Sequence, residues 1–199
     1  MCGSCWAFAS TATIESHAAI STGLLFNLSP QQIAACAPNP DSCGGTGNCN
    51  GATAEIAFDY VSKSDGIFEE YQYPYTEWFG QESACAIPSG VSKVQIGGYV
   101  QLTANNYLEL LNAVAKVGPI AVSVDASDWS AYDSGIFNGC NQANPDIDHA
   151  VVLVGYGEEN GQKFWLIRNS WSASYGEAGY IRLYRDDNEQ NNCGSDITP

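Results

Sequence analysis

The alternation of apolar and polar positions changes character about halfway along the chain. Residues 4–21 contain neither Pro nor Gly and are rich in Ala, and Trp6, Ala9, Thr13 and Ile14 recur near helical spacing. That pattern predicts a helix, with Gly23 as its stop. Ser29-Pro30-Gln31-Gln32 reads as a capping box with Pro at the first helical position, which starts a second short helix into Cys36. Residues 37–51 are rich in Gly, Pro and Asn and read as loop. Residues 53–62 read as a third helix, and Tyr71-Gln72-Tyr73-Pro74-Tyr75 as an aromatic turn. Beyond residue 91 the period shortens. Residues 91–102 read as a strand and 106–117 as a helix ended by Gly118-Pro119. The runs 120–124, 150–156, 164–168 and 180–184 are β-branched or aromatic and bounded by turns, hence strands. A mainly helical first half and a mainly β second half predict an α+β chain. Its two lobes would be residues 1–101 and 102–199, with a cleft between them.

Composition narrows the function classes. The chain has 199 residues, 45% of them apolar, enough for a packed core and too many for disorder. It has no repeat, no low-complexity tract and no apolar run of membrane-spanning length. Asp and Glu number 22 against 7 Lys and Arg, a formal charge of −15. Such a surface repels phosphate backbones and anionic lipid, so nucleic acid and membranes are excluded as partners. The acidity serves solubility first; an acidic working compartment, where carboxylates protonate and repel one another less, is the sharper reading. Eight cysteines point to an oxidising compartment.

The chemistry sits at the start of the chain, in Cys2-Gly3-Ser4-Cys5-Trp6. A nucleophilic thiol must become a thiolate, and both a helix N-terminus and a nearby imidazolium favour that form. Cys5 stands where the first helix should begin. The chain offers two histidines as its base. His17 lies twelve residues further along the same helix, about 18 Å along its axis and on another face, so it cannot serve Cys5. His149, heading the strand after Asp148, remains. A base needs an orienting partner, and Asn169-Ser170-Trp171 follows the next strand, at a hairpin's distance from His149. Two other chemistries compete. Cys2-x-x-Cys5 is formally a redox motif, but no strand precedes it. Cys36, Cys43 and Cys49 form a possible zinc set, but they lack a paired Cys-x-x-Cys or a His unit.

Taken together, Cys2-Gly3-Ser4-Cys5-Trp6, Cys49-Asn50-Gly51, Asp148-His149-Ala150, Asn169-Ser170-Trp171 and Gly176-Glu177-Ala178-Gly179-Tyr180 resemble the papain-type cysteine proteases of the cathepsin L kind. The first run is a known signature of that family, and the order of the others agrees with it. The resemblance implies a papain-like two-lobed fold, with a helical left lobe, a β-barrel-like right lobe and the active-site cleft between them. It implies a nucleophilic Cys5 of depressed pKa, His149 as general base and acid, Asn169 as its orienter and Trp171 as the shield of that pair. Ser4 and Trp6 are supporting positions. The backbone N–H of Cys5 resembles one oxyanion donor. Peptide hydrolysis would proceed through a thioester acyl-enzyme, without cofactor or metal.

The resemblance also implies the disulfides Cys2–Cys49, Cys36–Cys85 and Cys140–Cys193, with Cys43 left over. Gly51 and Ala52 resemble the segment that pairs with substrate backbone. Thr53, Ala54, Ser123, Ile147, Asp148, Ala150 and Thr198 fall at further substrate-binding positions. Those of them that line the P2 pocket are small or apolar, which implies a hydrophobic P2 side chain. The implied partners are protein and peptide substrates, the chain's own propeptide and cystatin-type inhibitors. A monomer is implied, in the lysosome, the vacuole or outside the cell. The sequence departs from the family pattern at Ala52, usually Gly, at Tyr175, usually Trp, and at Ser172 and Ser174, where glycines are usual. The family's second oxyanion donor is a Gln six positions before the nucleophile, which falls ahead of Met1. The expectation is therefore an N-terminally truncated protease domain. The alternative is an inactive or impaired homologue serving as a binding or structural protein, since losing one such donor costs about 10²–10³ in rate.

Overall fold

The computed structural model describes residues 2–90, 94–140 and 143–188. The chain divides into two compact units, Met1–Gln101 and Leu102–Pro199.

In the first unit α1 spans Cys5–Thr22, α2 Pro30–Cys36 and α3 Ala54–Lys63, and α1 packs on the other two. The opening turns of α1 are largely buried: Trp6, Ala7, Ala9, Ser10, Thr11, Ala12, Thr13 and Ile14 are buried, and Cys5 and Phe8 half-buried. Small side chains permit this close approach, and the hydroxyls among them need internal partners. Ser10 Oγ donates to the Trp6 carbonyl (2.7 Å) and Thr13 Oγ1 to that of Ala9 (2.9 Å). Gly23 ends the helix in the left-handed region (φ +75°), with its N–H on the Ala19 carbonyl at 2.9 Å.

The capping box of α2 is half formed. Ser29 Oγ accepts from the Gln32 N–H at 3.0 Å, with Pro30 opening the helix. Gln32 does not reach back to Ser29. Its side chain is buried, so its amide must be satisfied inside. It accepts from the Phe68 N–H (2.8 Å) and donates to the Gly66 carbonyl (2.9 Å), which ties α2 to residues 66–68. The disulfides Cys2–Cys49 and Cys36–Cys85 are present, with sequence separations of 47 and 49. Loops of that length correspond to roughly 4 kcal/mol each in the chain-entropy picture. Cys43 and Cys140 are exposed and take part in neither of these disulfides. The pairing of Cys140 with Cys193 cannot be followed, because Cys193 lies outside the described residues.

The strand expected over 91–102 does not form among the described residues of that stretch. Val94 makes one isolated bridge to Ile67, and the chain beyond it is irregular. Gly97 and Gly98 interrupt the run, Gly98 at φ +144°, and Tyr99 and Val100 are exposed. The segment therefore has no buried face for alternate residues to fill.

In the second unit, α4 (Tyr107–Lys116) packs on a five-stranded sheet of order β1-β3-β4-β5-β2. The strands are β1 (Ile120–Val124), β2 (Ile136–Phe137), β3 (His149–Glu159), β4 (Gln162–Arg168) and β5 (Tyr180–Tyr184). All neighbours are antiparallel except β2, which runs parallel to β5. The barrel-like half implied by the resemblance takes the form of an open mixed sheet among the described residues. β2 is two residues long and pairs with β5, so it offers no ladder onto which β1 could close. The β3–β4 hairpin turns at Asn160-Gly161, both at positive φ (+51° and +79°), the signature of a primed turn. Val114, Ala126, Trp129, Val151, Leu153, Ile167 and Ile181 form the core of this unit, and Tyr132, Trp165 and Tyr175 pack against it.

Candidate active site

Cys5 is the first residue of α1, half-buried and outside both disulfides. The segment before it is clamped to the loop at 48–51 in three ways. The Cys2–Cys49 bond is covalent, the Gly3 N–H donates to the Cys49 carbonyl at 2.7 Å, and Trp6 Nε1 donates to the Asn48 carbonyl at 3.2 Å. A Cβ on Gly3 would sit 2.7 Å from that Cys49 oxygen, so glycine is required there. Ser4, the N-cap, does not cap the helix with its side chain. Its buried hydroxyl instead meets Tyr75 Oη at 2.6 Å. The first turn holds no acidic residue, despite the acidity of the whole chain.

Gly51 adopts φ +85°, and a Cβ on it would lie 2.6 Å from the Gly44 carbonyl oxygen. Ala52, Thr53 and Ala54 follow, all half-buried, and lead into α3.

The second unit assembles the imidazole. His149 is the first residue of β3, opposite Val124 of β1, and is 9% exposed. Its Nε2 lies 2.8 Å from Asn169 Oδ1, just beyond β4. The same oxygen accepts from the Ser170 N–H at 2.8 Å. A backbone N–H can meet only the oxygen of an amide, so this contact fixes the amide's orientation. Nε2 must then be the protonated ring nitrogen, and Nδ1 carries the free lone pair of the neutral ring. Trp171 stacks on the ring (centroids 5.0 Å, planes 29° apart), and Trp129 meets it edge-on at 6.3 Å. Burial pushes the His149 pKa down, while the Asn169 bond and the Asp148 charge push the other way. Asp148 is itself held, with Oδ1 accepting from the Ala126 N–H at 2.9 Å.

Of the other substrate-binding positions, Ser123 and Ala150 are cross-strand partners. Ser123 and Ile147 are exposed and Ala150 is buried. Thr198 lies outside the described residues. The competing chemistries lose their groups: Cys2 is bonded to Cys49 and not to Cys5, and Cys36 and Cys49 sit in separate disulfides. Three contacts had no sequence signal. Tyr75 on Ser4 and Trp129 on His149 pair residues from different segments, and Tyr175 meets Trp171 edge-on (5.1 Å) within one loop that has no periodicity.

Comparison with known proteins gives the family. The model of the papain family cysteine proteases matches residues 1–199. A cathepsin L-like proteinase of Phaedon cochleariae is 41% identical over 97% of this chain and 56% of its own length. The structure of digestive procathepsin L 3 from the larval midgut of Tenebrio molitor superposes with a TM-score of 0.83 at 38% identity, covering 97% of this chain and 60% of that one. The bromelain protease of Ananas comosus, solved in complex with the E64 inhibitor, gives 0.81 at 39% identity, covering 94% and 82%. The chain belongs to the papain family of cysteine proteases, and its fold is the α+β fold of that family. It spans 56–58% of the length of the curated relatives it matches.

Proposed function

We propose that the protein is a cysteine endopeptidase with Cys5 as nucleophile, His149 as general base and acid, and Asn169 as the orienter of His149. The observation that carries this reading is the His149–Asn169 pair, whose tautomer is set by Ser170 and whose open face is covered by Trp171. The Cys5 thiolate attacks the scissile carbonyl, and the backbone N–H of Cys5 steadies the oxyanion that forms. His149 then protonates the leaving amine through Nδ1, which leaves a thioester. In the second half it takes a proton from water, the hydroxide attacks the thioester, and the Cys5 thiolate leaves. The reading assigns the second oxyanion donor to no residue of this sequence.

The uncharged side chains of Thr53, Ala54, Ser123, Ile147 and Ala150 favour a hydrophobic P2 residue. The remaining partners are a propeptide and cystatin-type inhibitors. The setting is lysosomal, vacuolar or extracellular, in line with two disulfides and a net charge of −15. Among the described residues no helix is long and apolar enough to cross a membrane.

The test uses a pair of peptidyl epoxides bearing Leu or Arg at P2, with mass mapping of the adduct. Labelling is expected at Cys5, faster with Leu, and lost in Cys5→Ala. An adduct that persists in that variant overturns the assignment of Cys5. Faster labelling by the Arg reagent overturns the P2 assignment alone.

A further inference from the structure

Two buried polar atoms on the loop that follows β4 have no hydrogen-bond partner among the described residues. They are Asn169 Nδ2 and the hydroxyl of Tyr175. A buried amide nitrogen left unmatched is costly, and so is a buried phenol oxygen. They belong to one small loop. The Asn169 N–H donates to the Gly179 carbonyl at 3.0 Å, and the Gly179 N–H to the Tyr175 carbonyl at 2.7 Å. The Tyr175 ring stands edge-on to Trp171, which lies on His149. Burial pushes the Tyr175 phenol up to about 12, and the Asn169 side chain works against that rise. A neighbour that favours the phenolate is one that donates a proton to the oxygen, and the donor Asn169 offers is Nδ2–H.

We propose that Tyr175 is a positioning residue for the site: its hydroxyl oxygen accepts from Asn169 Nδ2 and completes a relay Tyr175–Asn169–His149. This rests on the reading of His149 and Asn169 given above. Oδ1 already serves two donors, His149 Nε2 and the Ser170 N–H. Donation from Nδ2 draws electron density through the amide toward Oδ1 and makes it a stronger acceptor. The imidazolium gains from this more than the neutral ring, so the relay holds the protonated form of His149 to higher pH. Tryptophan, usual at this position in the resembling family, has only an N–H donor and cannot play this part.

The experiment compares the full chain with Tyr175→Phe, which keeps the ring and removes the oxygen. We expect kcat/KM about three- to tenfold lower, carried mostly by kcat. The alkaline limb of the pH profile, where the imidazolium loses its proton, moves to lower pH. A purely structural ring leaves that limb in place, and an unmoved limb with unchanged kcat overturns the proposal. NMR of the unmutated protein supplies a check that needs no variant. One Asn169 side-chain amide proton is expected downfield, slow to exchange and close to the Tyr175 ring; its absence also overturns the proposal. Epoxide labelling of Cys5 is measured in parallel. If wild type is not labelled, the endopeptidase reading fails; if it is labelled and Tyr175→Phe matches it in every measure, only the role of Tyr175 fails.

Discussion

His149 shows how one backbone group decides a side-chain reaction. The Ser170 N–H fixes the Asn169 amide, the amide fixes the tautomer, and the tautomer assigns the two ring nitrogens their tasks. Asn169→Ala removes the acceptor and leaves a buried Nε2–H without a partner. A hydrogen bond to a charged group contributes about 1.5–3 kcal/mol, so kcat/KM is expected to fall by roughly 10- to 150-fold. Burial already lowers the His149 pKa, and Asn169 is a force opposing that shift. Its loss moves the alkaline limb of kcat/KM to lower pH, which a pH–rate profile measures. At this scale the sequence was legible where a motif imposes a contact, as in the pairing of His149 with Asn169. It was silent where support comes from an aromatic in another segment. Nothing in the Asp-Ser-rich stretch around Trp129 signals that its ring meets His149.

Among the elements, strands β1 and β5 begin and end where the apolar runs do, because both runs are bounded by turns. The miss at 91–102 has the opposite cause: β-branched residues without a buried face do not make a strand. The two-residue β2 is too short to leave any period. The half-formed capping box is instructive in the same way. The Ser29 cap was readable because it depends on local backbone geometry. The inward turn of Gln32 was not, because it depends on Gly66 and Phe68. Ser29 Oγ also donates to the Tyr73 carbonyl at 2.6 Å, so this hydroxyl closes a helix and a loop together. Ser29→Ala is expected to cost about 1–2 kcal/mol, read as a lower midpoint in urea at constant slope.

For the whole molecule, acidity is the dominant electrostatic fact, and Glu70 shows how it enters the fold. One carboxylate oxygen accepts from the Tyr75 N–H at 2.8 Å, while the other is buried with no hydrogen-bond partner among the described residues. Burial raises its pKa, with the Tyr75 bond opposing. The folded chain therefore binds this proton more tightly than the unfolded chain does. The resulting stabilisation is complete below the unfolded pKa and is lost as pH rises through the folded one. Glu70→Gln keeps the acceptor for Tyr75 and removes the charge. The variant is expected to match wild type in acid and to exceed its stability near neutrality, in unfolding free energies measured across pH.

The placement of His149 carries one more consequence. It occupies the first rung of the ladder between β1 and β3, opposite Val124, and not a connecting loop. A terminal rung, shared with the edge strand of the sheet, opens more readily than the rungs behind it. The imidazole is held there by its side-chain contacts, Asn169 on Nε2 and the rings of Trp171 and Trp129. Mild warming or denaturant should therefore loosen the His149–Asn169 pair before the sheet itself gives way, read as loss of activity ahead of global unfolding.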